Sequence, residues 1–209
     1  MFEKTLPKNA KQALAILGES KILKNAYLAG GTALALQIGH RYSYDLDWFT
    51  TKKFDEDKVI NKLIKLIPDF KLERKDEMTI LATFGGTKFS LFYSSYPLLF
   101  KTLEFEGMDI ANIKDIAAMK INVIMGRGTK KDFVDLYCII NEYKALTLKE
   151  ILNLYQKKYA QANPDMINII QSLTYFVDAE DQKVNMLIPL DWKKVKCFFI
   201  KETKKLARF

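Results

Sequence analysis

A short apolar run that stops at two glycines is the feature that most constrains this chain. Residues 26–29 (Ala-Tyr-Leu-Ala) end at Gly30 and Gly31, and strong helix formers follow Thr32. The pattern predicts a strand, a tight turn and a helix. Most such turns are only structural. Glycine nevertheless lets a backbone approach a ligand closely, and the unpaired N–H groups at a helix start attract anions. Gly30, Gly31 and Thr32 are therefore a candidate polyphosphate cradle, with Thr32 either capping the helix or binding a phosphate.

Two aspartates on the next predicted strand, residues 44–49, strengthen this hypothesis. Asp45 and Asp47 are two residues apart, so on a strand both carboxylates project from the same face. Leu46 and Trp48 make the strand largely apolar, and two acids on one face are then costly unless a cation lies between them. Oxygen ligands suit Mg²⁺ or Mn²⁺. The alternative is an exposed strand face with two hydrated acids.

The remaining periodicities predict a mixed first half and a helical second half, with domains at residues 1–110 and 111–209. The class is α+β. In the first half we expect helices at about 8–17 and 58–67 and strands at about 69–75, 78–84, 87–93 and 103–108. The helix at 8–17 is expected to end near Gly18, and the one at 58–67 to end at Pro68. In the second half we expect a helix that begins at about residue 113 and ends at Gly126 or Gly128, and further helices at about 130–143, 147–159, 164–177 and 191–207, the last capped by Asp191.

Positive charge is concentrated in the second half. The formal net charge is +8, of which residues 1–110 contribute +2 and residues 111–209 contribute +6. Such a field favours a phosphate-rich partner such as RNA, and the alternative is a solvated helix face. Near the C-terminus a single acid, Glu202, opposes a run of basic residues: Lys193, Lys194, Lys196, Lys201, Lys204, Lys205 and Arg208.

Neither a signal sequence nor a membrane-length apolar run is visible, so no membrane partner is expected. Cys138 and Cys197 lie in apolar surroundings without a second ligand at metal spacing, and both are predicted to be buried thiols. These observations predict a cytoplasmic protein.

Two blocks of residues resemble the AbiEii/AbiGii toxin family of nucleotidyltransferases. The first comprises residues 30–36 (GGTALAL) and 40–49 (HRYSYDLDWF), and the second comprises residues 115–120 (DIAAMK) and 127–137 (RGTKKDFVDLY). The resemblance spans roughly residues 25–140. It implies a polymerase β-like nucleotidyltransferase fold, a mixed sheet flanked by helices, followed by a C-terminal helical bundle.

The resemblance also implies a chemistry. An NTP would donate NMP to an RNA acceptor, with tRNA expected, in a toxin encoded with a cognate antitoxin. Asp45 and Asp47 would bind the metal. Lys120 would stabilise triphosphate charge, and Asp132 would hold Lys120 or Arg127 or transfer a proton. The other implied residues are Gly30, Gly31, Thr32, Arg41, Ser43 and Arg127 for the nucleotide, with Lys88, Lys131 and Asp135 in support.

One position departs from the family pattern. Similar enzymes usually add a third carboxylate in a Lys-x-Asp pattern, whereas this chain has Lys88-Phe89-Ser90. Three interpretations stay open. Glu104 or Glu106 substitutes for the missing acid, the two strand aspartates suffice with a base such as Asp132, or the enzyme is slow or inactive.

Two other functions stay open as well. A small-molecule nucleotidyltransferase of the aminoglycoside type would use the same residues, although an acidic acceptor pocket would suit it better than this basic second half. A non-catalytic nucleotide-binding protein would explain Ser90. A glycosyltransferase Asp-x-Asp site is disfavoured because it does not account for the second block.

Overall fold

The computed structural model describes residues 1–67 and 69–206, in two units, Met1–Asn112 and Ile113–Phe209. The described residues of the first unit form a seven-stranded mixed sheet and three helices. The helices are α1 (Lys8–Ser20), α2 (Gly30–Ile38) and α3 (Glu56–Leu66). The strands are β1 (Ala26–Ala29), β2 (Leu46–Thr50), β3 (Lys71–Asp76), β4 (Thr79–Phe84), β5 (Thr87–Tyr93), β6 (Leu103–Phe105) and β7 (Met108–Ile110).

The strand order is β3-β4-β5-β2-β1-β7-β6, so the strands that carry the candidate site lie in the middle. β2 pairs antiparallel with β1 and parallel with β5, and β1 pairs parallel with β7. In this register Asp47 has Ala29 as its neighbour on one side and Ser90 on the other. Ala29 and Ser90, which are far apart in the sequence, therefore lie on either side of Asp47.

Side chains alternate across the sheet, which separates a core face from a site face. Leu46, Trp48 and Phe89 are buried on one face. Asp45, Asp47 and Ser90 are half-buried and belong to the other. Helix α1 packs against β5, α2 against β1 and β2, and α3 against β3 and β4. The apolar alternation thus decides which face of β2 presents carboxylates.

The predicted elements of the first unit are confirmed, with corrections to their bounds, among them α3 at Glu56–Leu66 and β3 at Lys71–Asp76. Helix α1 passes through Gly18 and ends at Ser20, because Gly18 serves a close approach: a Cβ there would collide with the carbonyl oxygen of Glu106. The expected strand at 103–108 is two strands, turned at Glu106 and Gly107, both with positive φ. Strand β2 begins at Leu46, not at residue 44. Pro68 lies outside the described residues.

The regular elements in the described part of the second unit are helices, in agreement with the predicted α+β class. Its helices are α4 (Ile113–Gly126), α5 (Lys130–Tyr137), α6 (Leu148–Lys158), α7 (Met166–Ser172) and α8 (Trp192–Leu206). α5 continues as a π-helical turn at Cys138–Glu142. α7 is shorter than expected, and Asp191 accepts a hydrogen bond from the Lys193 amide, as its predicted capping role requires.

Helix α8 buries only one side. Val195, Phe199 and Thr203 are buried at i, i+4 and i+8, and Phe199 packs edge-on against Phe133 of α5. Cys197 is on the other side and is exposed, so the prediction of a buried thiol is wrong there, whereas Cys138 is buried. Among the residues that the structure describes, no helix combines the length and apolarity needed to cross a membrane.

Candidate active site

The first glycine of α2 lies against the carboxylate of β2. Gly30 has φ of +67°, a left-handed conformation that favours glycine, and a Cβ added there would lie 2.7 Å from Asp47 Oδ2. Gly30 at the start of α2 and Asp47, the candidate metal ligand, thus lie close together. Any side chain at Gly30 would push the carboxylate out of this position.

The second glycine makes room for an arginine. A Cβ on Gly31 would collide with Arg41 Nη2 and would lie 3.3 Å from Ser43 Oγ. Arg41 is buried, with Nη1 donating to the Tyr42 carbonyl oxygen at 2.9 Å. The loop before β2 is therefore folded over the first turn of α2, and a guanidinium lies where a phosphate-binding turn would use positive charge.

Thr32 anchors this loop. Its hydroxyl is buried, lies 2.8 Å from Ser43 Oγ and donates to the carbonyl oxygen of Asp45. It makes no capping bond, since the N-cap residue of α2 is Ala29. Thr32 and Ser43 hold the backbone that leads into the aspartates, which is a positioning role distinct from the capping that the sequence suggested.

The two aspartates share a face, as the sequence predicts. Asp45 immediately precedes β2 and Asp47 lies within it, and both are half-buried, whereas Leu46 and Trp48 are buried on the opposite face. Ser90 is the neighbour of Asp47 on β5, and Lys88 is exposed two residues earlier on the same side. The sheet brings Ser90 to the place where a third carboxylate would complete the set.

No other acid replaces it in the described part of the chain. Glu104 lies on β6 and Glu106 follows it, and β6 is separated from β2 by two further strands, β1 and β7. At about 4.8 Å between neighbouring strands the distance from β2 to β6 is roughly 14 Å. The hypothesis that either glutamate substitutes is therefore wrong. Among described residues, no group of three His, Cys, Asp or Glu side chains is arranged to hold a metal.

In the helical unit, Lys120 lies between two aspartates. Its Nζ is 2.8 Å from Asp132 Oδ1 and 2.6 Å from Asp135 Oδ2, and all three side chains are buried. Thr129 also donates to Asp132. The sequence-based idea that Asp132 holds Lys120 in place is confirmed as a contact. The role of Lys120 toward a triphosphate stays a prediction.

The environment of Asp132 favours its charged form. Burial alone would raise the pKa of this carboxyl, but the charge of Lys120 and the hydrogen bonds from Lys120 and Thr129 together lower the pKa below its usual value. Asp132 is thus a carboxylate at neutral pH, with a weakened tendency to accept a proton.

A second buried ion pair, which the sequence did not single out as a pair, joins α4 to α6. Lys158 Nζ lies 2.9 Å from Asp115 Oδ1, with both side chains nearly inaccessible. Asp115 is in the first turn of α4, where the helix dipole favours an acid, and this position is the local sequence feature that pointed to it. Both residues lie within the helical unit, and we interpret the pair as a structural contact between α4 and α6.

The basic residues of the second unit differ in how exposed their side chains are. Arg127 is exposed and Lys131 is half-buried. On α8, at about 3.6 residues per turn, one exposed face carries five lysines opposite the buried residues. These are Lys193, Lys194, Lys201, Lys204 and Lys205, which we call the α8 lysine face. Lys196 lies off this face and pairs with Glu180, and Arg208 is outside the described residues.

Comparisons with known proteins show what the chain as a whole is similar to. Residues 12–97 match the family described as nucleotidyl transferase AbiEii toxin of a type IV toxin–antitoxin system. The uncharacterized protein aq_aa25 of Aquifex aeolicus is 38% identical over 203 residues, which cover 95% of this chain and 96% of that protein. The similarity to that protein extends through both units.

Solved structures share the fold at low sequence identity. JHP933 from Helicobacter pylori has a TM-score of 0.58 and 18% identity, over 96% of this chain and 94% of that one. The nucleotidyltransferase toxin MenT4 from Mycobacterium tuberculosis has a TM-score of 0.56 and 15% identity, over 94% of this chain and 84% of that one. The antibiotic-resistance factor ANT(2'')-Ia has a TM-score of 0.53 and 11% identity, over 74% of this chain and 96% of that one. The expected polymerase β-like nucleotidyltransferase fold is confirmed.

Proposed function

Because the chain belongs to the AbiEii nucleotidyl transferase toxin family of toxin–antitoxin systems, we propose that it uses Mg²⁺ to transfer NMP from an NTP to RNA, with tRNA as the expected acceptor. Family membership makes it a nucleotidyltransferase. The metal, the acceptor and the residue roles are the proposal. A cytoplasmic location and a cognate antitoxin belong to the same proposal.

The observation that carries the proposal is the contact between Gly30 and Asp47. A helix start free of side chains lies beside a carboxylate, so a polyphosphate on the N–H groups of α2 would have its oxygens next to Asp47. Asp45 and Asp47 are hard oxygen donors that fit a divalent ion shared with phosphate oxygens, and Mn²⁺ would fit the same donors. When bound, the ion would neutralise charge on the reacting phosphate.

Each residue of the proposed site has its own role. The α2 turn binds the β and γ phosphates, and the Arg41 guanidinium adds positive charge beside it. Thr32 and Ser43 hold the loop so that Asp45 and Asp47 keep their spacing. The acceptor hydroxyl passes its proton to solvent as its oxygen attacks the α-phosphorus in line, the bond from that phosphorus to the bridging oxygen breaks, and pyrophosphate leaves. Lys120, Arg127 and Asp132 are proposed to assist transfer, as the resemblance implies.

The α8 lysine face supports RNA as the acceptor. Five exposed lysines on one side of a helix form a stripe about 18 Å long, at roughly 1.5 Å per residue. Phosphate backbones bind such a stripe through counterion release, without base recognition. A small cationic acceptor would gain nothing from such a stripe, which disfavours the aminoglycoside-type alternative.

The test is transfer of label from α-labelled NTPs to total tRNA with Mg²⁺. We expect labelled tRNA from the wild type and loss of label with Asp47→Asn. Replacing Lys193, Lys194, Lys201 and Lys204 by Gln should raise the KM for tRNA and flatten its salt dependence, while the KM for NTP stays unchanged.

The alternatives give different results in the same assay. Label on a small aminoglycoside and not on tRNA would establish the small-molecule reading. NTP binding without transfer, by both the wild type and Ser90→Asp, would establish the non-catalytic reading and reject the proposal. Transfer that persists in Asp45→Ala would reject the metal assignment.

A further inference from the structure

Two tyrosines beside the phosphate turn are exposed although their neighbours are buried. Tyr42 is 39% exposed and Tyr44 is 47% exposed, and Ser43 between them is 5% exposed. The alternation continues backward to buried Arg41, so this stretch of the loop has one inward side and one outward side. The outward side carries two aromatic rings.

The backbone that bears these rings is held in place. The Ser43 amide donates to the Thr5 carbonyl oxygen at 3.0 Å, and the Ser43 hydroxyl lies 2.8 Å from Thr32 Oγ1. The Tyr42 carbonyl oxygen accepts from Arg41 Nη1 at 2.9 Å. A ligand that uses the rings would therefore lose little free energy to ordering the loop.

The loop segment that carries the two tyrosines adjoins the groups that bind the nucleotide in the proposed function. Tyr44 directly precedes Asp45, and Tyr42 is bonded through its carbonyl to Arg41, whose Nη2 lies against Gly31. A nucleotide whose phosphates lie on the α2 turn, or an acceptor nucleotide that approaches the aspartates, brings a base close to this loop.

We propose that Tyr42 and Tyr44 form a stacking surface for a nucleobase, which belongs either to the bound NTP or to the terminal nucleotide of the acceptor; the proposal rests on the phosphate site proposed above. Aromatic rings stack on every base, because every base has a π-face. The surface would thus add affinity with little preference for one base. Exposed aromatics beside a polar site are typical of binding surfaces.

The test compares a ligand with a base to one without it. Binding of ATP and of inorganic tripolyphosphate, each with Mg²⁺, is measured by calorimetry for the wild type, Tyr42→Ala, Tyr44→Ala and the two Tyr→Phe variants. Tyr143→Ala is the matched control, since Tyr143 is 54% exposed and lies in the helical unit. Circular dichroism checks that each variant is folded.

We expect each Ala variant to bind ATP about 5- to 150-fold more weakly, while its affinity for tripolyphosphate is unchanged. The Phe variants should bind ATP as the wild type does, because they keep the ring. If the base belongs to the acceptor, ATP affinity stays constant and the KM for tRNA rises over the same range with kcat preserved.

Four results would overturn the stacking surface. The first is no change in ATP affinity or in the KM for tRNA. The second is an equal loss of ATP and tripolyphosphate affinity, which is the result of a displaced loop. The third is a Phe variant as weak as its Ala counterpart. In the fourth, the wild type binds neither ligand, which rejects the phosphate site and the stacking surface together, whereas the first three leave the phosphate site standing.

Discussion

Asp47 in the sheet unit and Asp135 in the helical unit are aspartates on regular elements, but their surroundings differ. Asp47 is half-buried, and its Oδ2 atom lies so close to Gly30 that a Cβ there would be only 2.7 Å away. Asp135 has no exposed side-chain surface and lies 2.6 Å from the Lys120 ammonium. The first carboxylate is placed where a ligand can reach it, and the second is placed where only the protein does.

The difference follows from the cost of burying charge. An ion removed from water needs a partner and hydrogen bonds, and the group of Lys120, Asp132 and Asp135, which we call the Lys120 cluster, provides both within the protein. A half-buried carboxylate can keep bound waters, which a metal ion can replace. The sheet unit therefore has the geometry of a binding site, and the Lys120 cluster has that of a support that also fixes the position of its lysine.

The largest effect is expected from Asp47→Asn, which keeps the shape beside Gly30 and removes the charge. Transfer should fall on the order of 10³-fold, because a metal-ion contribution is worth several kcal/mol. The measurement is the initial rate of label transfer. Asp109→Asn on β7 is the control, since Asp109 is exposed and should leave the rate unchanged. Equal rates for both variants would contradict the assignment.

The Lys120 cluster should respond in stability. Lys120→Met leaves Asp132 and Asp135 buried without their cation, which should cost about 3–5 kcal/mol of unfolding free energy. Urea unfolding measures this, with exposed Lys201→Met as the control, for which we expect less than about 0.5 kcal/mol. Adding Asp135→Asn to Lys120→Met should recover part of the loss. A Lys120→Met variant as stable as the control would show that the ion pairs contribute nothing.

Ser90→Asp adds a negative charge to the sheet face that carries Asp47, and so increases the difference between this site and the Lys120 cluster. A third carboxylate beside Asp47 should tighten Mn²⁺ binding by about 10-fold, because affinity rises with the number of charged ligands. Electron paramagnetic resonance with Mn²⁺ measures this without reference to turnover. Ser95→Asp, exposed just beyond β5, is the control. Weaker or unchanged binding in Ser90→Asp would mean that Ser90 does not face the metal site.

The smallest effect is the pH dependence of Asp132. Its pKa is lower in the folded protein than the usual 3.8, so its contribution to stability is complete above that value and is lost as the pH falls through the folded pKa. We expect the wild type to lose more unfolding free energy than Asp132→Asn between about pH 5 and pH 2. Urea unfolding across that range tests it, and parallel curves would contradict the prediction.

Local patterns account for the part of the fold that was predictable. The β1–glycine–α2 unit, the neighbouring strands β4 and β5 and the cap at Asp191 each depend on a few consecutive residues. The two carboxylates on one face of β2 follow from a period of two. The predicted end of a helix was wrong where a distant contact determines the residue. At Gly18 the backbone of Glu106 requires a glycine inside α1, and the sequence pattern does not show this contact.

The sequence by itself thus determined the α+β class, the paired aspartates and the glycine turn, because propensity and periodicity act between near neighbours. Only the tertiary structure decided that Ser90 is the neighbour of Asp47, that Glu104 lies on the far edge strand, and that Arg41 covers Gly31. The buried contact of Lys120 with Asp132 and Asp135 belongs to the same group. Strand order and helix packing are non-local, and nothing in a short stretch of sequence specifies which distant residues they bring together.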